Sequence, residues 1–157
     1  MKITIQNRQK KIRLTPKIQR ALKLILRRAC AKAGMHPYGT LSLSLVDDRA
    51  IRELNLNYLG RYCPTDVIAF DFREAAGKKR PPYSKKARGL AAWADIIVST
   101  DTAVSQARAF KTNPVYEMCL YACHGMLHVL GYNDEKPKQR KIMEKIAAKI
   151  LAAQGVE

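Results

Sequence analysis

Two of the three histidines, His124 and His128, lie four residues apart in the segment CHGMLHVLGYND. Apolar residues recur through this segment at helical spacing, which predicts a buried helix that ends at Gly131. Residues four apart on a helix share one face, with about 5 to 6 Å between their β-carbons. Two imidazoles at that separation can bind one ion, because Zn–N bonds measure about 2.0 to 2.1 Å. The pair therefore predicts a metal site on this helix.

A third ligand is expected from Asp134, which follows the chain reversal that Gly131 permits. Zinc held by His124, His128 and Asp134 keeps its fourth coordination position open for water, which is typical of catalytic rather than structural sites. Helical histidine pairs also arise by chance, and a hydrogen-bonded core histidine is the alternative interpretation. The glycine turn and the nearby acid favour the metal site over that alternative.

The same segment disfavours peptide hydrolysis. In the zinc peptidase motif H-E-x-x-H the glutamate after the first histidine is the general base. Gly125 occupies that position here, so a peptidase would have no proton acceptor at this point.

Around this helix the chain predicts one compact α+β domain over residues 1–157, in which about four strands form a mixed sheet against the buried central helix. The 157 residues and 47% hydrophobic content suffice for a single core, and no repeat or linker interrupts them. The alternation of leucine with Ser42 and Ser44 predicts a half-buried strand, and Thr100 or Asp101 is expected to cap a helix. Strand order does not follow from the sequence. The expected strands lie around 3–5, 41–45, 67–72 and 93–99, and the expected helices start near 15, 47, 100, 113 and 137.

Basic residues dominate the charge, with 29 Lys and Arg against 13 Asp and Glu, a net charge of +16. Residues 1–46 carry eleven of these cations and no acid, and residues 136–149 carry only Glu144 in opposition. Residues 78–89 form a third basic stretch, which we expect to be an exposed loop. For any one run a solvated surface is the ordinary interpretation, but three together favour a nucleic acid partner.

Other function classes are disfavoured by composition. No run of eighteen uncharged apolar residues occurs, so a membrane span is not expected. The basic, alternating N-terminus lacks the apolar stretch of a secretion signal. Four scattered cysteines are too few for a disulfide scaffold, so we expect reduced thiols and a cytoplasmic protein.

The segment HGMLHVLGYND resembles the H-G-x-L-H-L-x-G-Y-D-H signature of the YbeY family of bacterial endoribonucleases. Residues 57–58 and 64–70 resemble a second block of that family, and residues 94–99 with 106–107 resemble a third. The three blocks stand in the family's order and span about residues 50–135. The resemblance implies a single-domain α+β zinc protein of the bacterial cytoplasm. It also implies a role in ribosomal RNA maturation, especially at the 3′ end of the small-subunit RNA, and in ribosome quality control.

This chain departs from the family pattern at two functional positions. The family's third metal ligand is a histidine, where Asp134 stands here, and a carboxylate ligand makes zinc-bound water less acidic. The family also has an arginine after the tyrosine of its second block, where this chain has Leu59. Arg61, two residues later, is the candidate for a catalytic phosphate contact, and a solvated surface arginine is the alternative.

We therefore predict metal-assisted hydrolysis of RNA phosphodiester bonds by a monomer that uses Zn²⁺. Single-stranded RNA is the expected substrate, because an unstacked backbone can enter a cleft that a duplex cannot. The expected partners are ribosomal RNA, the small ribosomal subunit and ribosome-assembly proteins, with no membrane. The rival interpretation is a non-catalytic ribosome-associated RNA-binding protein whose metal site is degenerate or structural.

Overall fold

The computed structural model describes residues 1–36, 39–73 and 92–156, so the basic stretch 78–89 lies outside the described residues. Four strands and five helices lie along these parts of the chain. The strands are β1 (Lys2–Asn7), β2 (Thr40–Val46), β3 (Val67–Asp71) and β4 (Ala92–Ser99), and the helices are α1 (Pro16–Lys32), α2 (Asp48–Leu59), α3 (Thr100–Phe110), α4 (Pro114–Val129) and α5 (Pro137–Ala152). Their order along the chain is β1-α1-β2-α2-β3-β4-α3-α4-α5.

The four strands form one mixed sheet in the order β1-β2-β4-β3. Strand β2 runs parallel to β1 and to β4, whereas β3 is antiparallel to β4. Parallel neighbours need a crossover connection, and α1 supplies it between β1 and β2. The predicted α+β class and the four-stranded mixed sheet are therefore confirmed.

Helices pack on both faces of this sheet. The larger core joins α1, α4 and α5 to inward side chains of the strands, including Leu43 and Ile96. The smaller core joins α2 to the opposite face through Ile51, Leu54 and Ile97. Burial on both faces makes the sheet a rigid support for residues at the surface of α4. Among the described residues, no helix is long and apolar enough to span a membrane.

Local sequence signals account for most helix starts. Thr15 caps α1 by accepting a hydrogen bond from the Ile18 amide, and Asp47 caps α2 by accepting one from Ala50. Gly60 ends α2 in the left-handed conformation, with φ of 69°. These boundaries agree with the sequence prediction.

Two local predictions were wrong. Ser42 and Ser44 are buried rather than solvent-facing, because β2 lies between two other strands and both its faces are covered. The cap of α3 is Ser99, whose hydroxyl accepts from the Thr102 amide. Thr100 and Asp101 have other partners, since the Thr100 hydroxyl donates to the Val46 carbonyl and Asp101 accepts from the Asp48 amide.

Candidate metal centre

Helix α4 carries both histidines and is the most buried helix of the domain. It starts where the Asn113 side chain accepts from the Val115 amide, with Pro114 in the first turn. Gly125 lies against the sheet, and a β-carbon there would sit 2.7 Å from Val67 Cγ2 and 2.9 Å from Ile96 Cγ2. The position that holds a catalytic glutamate in zinc peptidases is therefore a close helix-to-sheet contact in this protein.

Asp134 reaches the histidines because the chain reverses after α4. Gly131 has a φ of 92°, which L side chains rarely adopt, and the Tyr132 amide then donates to the Leu127 carbonyl at 3.0 Å. The Asn133 side chain accepts from the Glu135 amide at 2.8 Å and fixes the following turn. The reversal predicted from Gly131 therefore brings a carboxylate back beside the helix.

Three ligand atoms converge at this point. Asp134 Oδ2 lies 3.4 Å from His124 Nε2 and 3.7 Å from His128 Nε2. Ligand atoms from all three residues lie within 4.8 Å of one another. Donors at about 2.0 to 2.1 Å from a tetrahedral zinc ion are about 3.3 to 3.4 Å apart, so the observed spacing is close to that of one shared ion.

The orientation of His128 supports the same conclusion. Its Nδ1–H donates to the Tyr132 carbonyl, at 3.2 Å, which leaves the Nε2 lone pair directed toward Asp134. An imidazole lone pair and a carboxylate oxygen are both acceptors, so a cation bound between them would satisfy both groups. Two imidazoles and one carboxylate form a donor set that zinc accepts. The residues present therefore fit a metal ion.

The ligand atoms line an open cleft between α4 and β3 with a volume of about 240 Å³. The side chains of His124, His128 and Asp134 are 20%, 34% and 38% exposed, so solvent reaches all three. The remaining lining residues are Leu59, Asp66, Val67, Ile68 and Ala69. This accessibility is typical of a site that exchanges water or substrate rather than of a closed structural site.

Arg61 is exposed and is not among the residues that line this cleft. Its amide donates to the Asn55 carbonyl, which holds the backbone against the end of α2. Leu59 faces the cleft instead and is 55% exposed. The structure therefore brings His124, His128 and Asp134 together without Arg61, and a catalytic Arg61 stays a prediction.

Asp66 is a cleft residue that sequence reasoning did not select. One of its oxygens, Oδ1, accepts from the Thr65 hydroxyl at 3.1 Å and from the Val67 amide at 2.9 Å. The residue also lines a neighbouring cleft of about 750 Å³. The available signals were its position before β3 and the resemblance of residues 64–70 to the family's second block, and a strand-capping carboxylate has the same position.

Three further titratable side chains of α4, outside the metal cleft, are held neutral by burial. Burial raises the pKa of Tyr121, and the charges of Glu117 and Asp66 raise it further. Burial also raises the pKa of Cys119 and of Cys123 to about 12. Both cysteines are thus core thiols, as predicted, and neither belongs to the group of three ligands.

Comparison with known proteins agrees with this geometry. The sequence model of the family described as Endoribonuclease YbeY matches residues 4–155. A protein named Endoribonuclease YbeY from Moorella thermoacetica is 36% identical over 156 residues, which cover 99% of each chain. One of the same name from Syntrophomonas wolfei is 32% identical over 154 residues, 96% of each chain.

A solved structure shares the fold. The solution structure of a Thermotoga maritima protein superposes with a TM-score of 0.57 at 23% identity, covering 96% of this chain and 90% of that one. The match to the family model spans nearly the whole chain, and the two relatives match over almost their full lengths. This chain belongs to the YbeY family of endoribonucleases.

Proposed function

We propose that this protein is a zinc-dependent endoribonuclease that acts in ribosomal RNA maturation. The observation that carries the proposal is the convergence of two imidazole nitrogens and one carboxylate oxygen in an open cleft. The carboxylate oxygen lies 3.4 Å from one nitrogen and 3.7 Å from the other. The proposed role is processing of the small-subunit RNA 3′ end and ribosome quality control, in the bacterial cytoplasm. The protein acts as a monomer with the small ribosomal subunit and ribosome-assembly proteins as partners.

His124, His128 and Asp134 would hold the ion. When bound, zinc would supply Lewis acidity toward a phosphate oxygen and lower the pKa of a coordinated water. The Tyr132 carbonyl fixes the ring of His128 for this purpose. If the ring turned away from this carbonyl, Nε2 of His128 would move out of the position in which it could bind the ion.

The other cleft residues have assigned roles in the proposal. The apolar wall of β3, including Val67 and Ala69, excludes water from one side of the substrate. Oδ1 of Asp66 is fixed by two hydrogen bonds. Oδ2 is thereby left to take a proton from the substrate or to accept a hydrogen bond from a ribose hydroxyl. Arg61 would contact a phosphate as the loop after Gly60 adjusts to RNA.

Metal content and RNA cleavage test the proposal together. Protein purified without a histidine tag should contain about one zinc ion per chain and cleave small-subunit precursor RNA in a reaction that a chelator stops. Asp134→Ala should lose both zinc and cleavage, whereas Asp134→His should keep zinc because it supplies a third imidazole. Glu135→Ala is the matched control, since this neighbouring acid lies outside the three-ligand group. Absence of zinc after reconstitution would contradict the proposal.

A non-catalytic RNA-binding protein is the second candidate. Two observations favour it: Leu59 occupies the cleft wall where the family has an arginine, and Asp134 stands where the family's third metal ligand is a histidine. His124→Ala separates the candidates. An endoribonuclease loses turnover and keeps RNA affinity, whereas in a binding protein the same change affects only stability.

A further inference from the structure

A second groove lies between α1 and α5, outside the candidate metal cleft. It has a volume of about 280 Å³ and is lined by Arg28 and Lys32 from α1 and by Lys149, Ile146 and Ile150 from α5. All three cations are exposed. We call this feature the cationic groove. Its lining combines three positive charges with a short apolar floor.

The helices that form the cationic groove are basic along their whole length. Helix α1 carries six Lys and Arg and no acid, and α5 carries five with Glu144 as its single acid. Among the residues that the structure describes, no acid forms an ion pair with Arg28, Lys32 or Lys149. The groove cations are therefore not neutralised by acids in the described part of the protein.

Helix stability accounts for only part of these charges, because Lys32 and Lys149 lie in the last turns of α1 and α5, where a cation is favourable. Arg28 and Lys32 are four residues apart on α1, and Lys145 and Lys149 are four apart on α5. Like charges at this spacing destabilise a helix, and the packing of α1 on α5 brings further cations together. Binding of an anion would relieve the repulsion among the cations at this place.

The cationic groove and the metal cleft are separate. The cleft lies between α4 and β3, whereas α5 packs against α1 and α4. In the described structure no residue lines both features. A ligand in the groove therefore leaves the cleft accessible to the strand that is cleaved.

We infer that the cationic groove binds backbone phosphates of the RNA substrate at a distance from the cleaved bond. The inference rests on the proposed function, because it assigns a second contact surface for the same substrate. The Arg28 guanidinium can engage a phosphate through two parallel hydrogen bonds, and Lys32 and Lys149 act as point charges. The isoleucine floor suits the apolar face of a ribose. Such contacts position RNA without reading its sequence.

The test compares two triple variants of equal charge. One carries Arg28→Gln, Lys32→Gln and Lys149→Gln. The control carries Lys10→Gln, Lys11→Gln and Arg13→Gln, which are exposed residues outside the groove. Binding of a labelled 30-nucleotide RNA is measured in chelator at several salt concentrations, so that neither cleavage nor zinc contributes. A third variant keeps the charges through Arg28→Lys, Lys32→Arg and Lys149→Arg.

The groove variant should weaken binding and flatten its salt dependence. Loss of three phosphate contacts lowers the slope of log Kd against log salt by about 2 to 3. The control should keep most of the slope, and the charge-preserving variant should bind like the unmodified protein. Equal slopes for groove variant and control would overturn the inference, as would loss of binding in the charge-preserving variant while its unfolding midpoint is unchanged.

Cleavage of a dinucleotide separates this inference from the proposed function. Its backbone is shorter than the rise of about 18 Å along α5 from Pro137 to Lys149, so it does not span from the cleft to the groove, and the groove variant should cleave it at the normal rate. Failure of the unmodified protein to cleave any RNA would reject the proposed function. The groove result, obtained in chelator, would still decide the inference.

Discussion

The metal cleft and the cationic groove make opposite demands on the sequence. In the cleft, three side chains converge within 4.8 Å, and a glycine contact and a backbone carbonyl set where they lie. In the groove, three exposed cations from two helices surround a shallow cavity, with no acid fixing their positions. The chemistry proposed for the cleft depends on where its three side chains lie, whereas RNA binding in the groove depends on how many positive charges it carries. Substitutions that preserve charge should therefore be tolerated in the groove and not in the cleft.

The largest expected difference follows removal of one cleft ligand. His124→Ala should lower RNA cleavage about a thousandfold or more, because the loss of metal removes several kcal/mol of transition-state stabilisation. His36→Ala is the natural control, since His36 is exposed and lies far from the other two histidines in the sequence. Single-turnover cleavage and zinc content measure the effect. RNA affinity in chelator should stay within about twofold if the two regions act separately.

Gly125 tests how closely the cleft depends on backbone position. Gly125→Ala places a methyl group 2.7 Å from Val67 Cγ2 and should lower the free energy of unfolding by about 1 to 3 kcal/mol. Combining it with Val67→Ala opens that space, so the double variant should be more stable than the sum of the single effects predicts. Denaturant titration of the four proteins measures the coupling. Strict additivity would contradict the close contact.

The turn after α4 offers a smaller and more selective change. Gly131→Ala and Gly34→Ala both put a β-carbon at positive φ, 92° and 66°, with no atom within 4 Å of it. Each should cost about 1 to 2 kcal/mol of stability. Only Gly131→Ala should also weaken zinc binding, about tenfold or more, because it displaces Asp134. Equal zinc affinity in the two variants would show that this turn does not set the ligand position.

The smallest effect is expected from the thiols inside α4. Alkylation at pH 8 should modify exposed Cys63 and spare Cys119 and Cys123, as peptide mass spectrometry can check. Burial raises the pKa of both thiols from 9.0 to about 12. As the pH rises, the two thiols therefore lose their protons at a lower pH in the unfolded chain than in the folded protein. Their contribution to stability is therefore complete below pH 9 and falls between pH 9 and 12. Rapid labelling of either buried thiol would show that the core of α4 opens.

Local patterns in the sequence were sufficient to predict the elements and the grouping of the three candidate ligands. Helical spacing, caps such as Asn113 and the turn at Gly131 act over a few residues, so each could be identified from its neighbours. The same holds for His124, His128 and Asp134, which lie within one short segment.

Features that depend on distant parts of the chain could not be predicted. Strand order and the burial of Ser42 and Ser44 are set by which strands pair, and pairing is decided by tertiary packing. Asp66 enters the cleft because β3 lies beside α4, although 58 residues separate it from His124 in the sequence. The contact of His128 with the Tyr132 carbonyl involves a backbone atom, and backbone atoms carry no residue signature.

The order of the elements also governs when each surface exists during synthesis. The cationic helix α1 is the second element of the described chain, whereas the ligands come from α4 and the turn before α5. About four fifths of the 157 residues therefore emerge from the ribosomal exit tunnel before the first candidate metal ligand, His124. The proposed cleavage activity is therefore expected only after nearly all of the described elements have been translated.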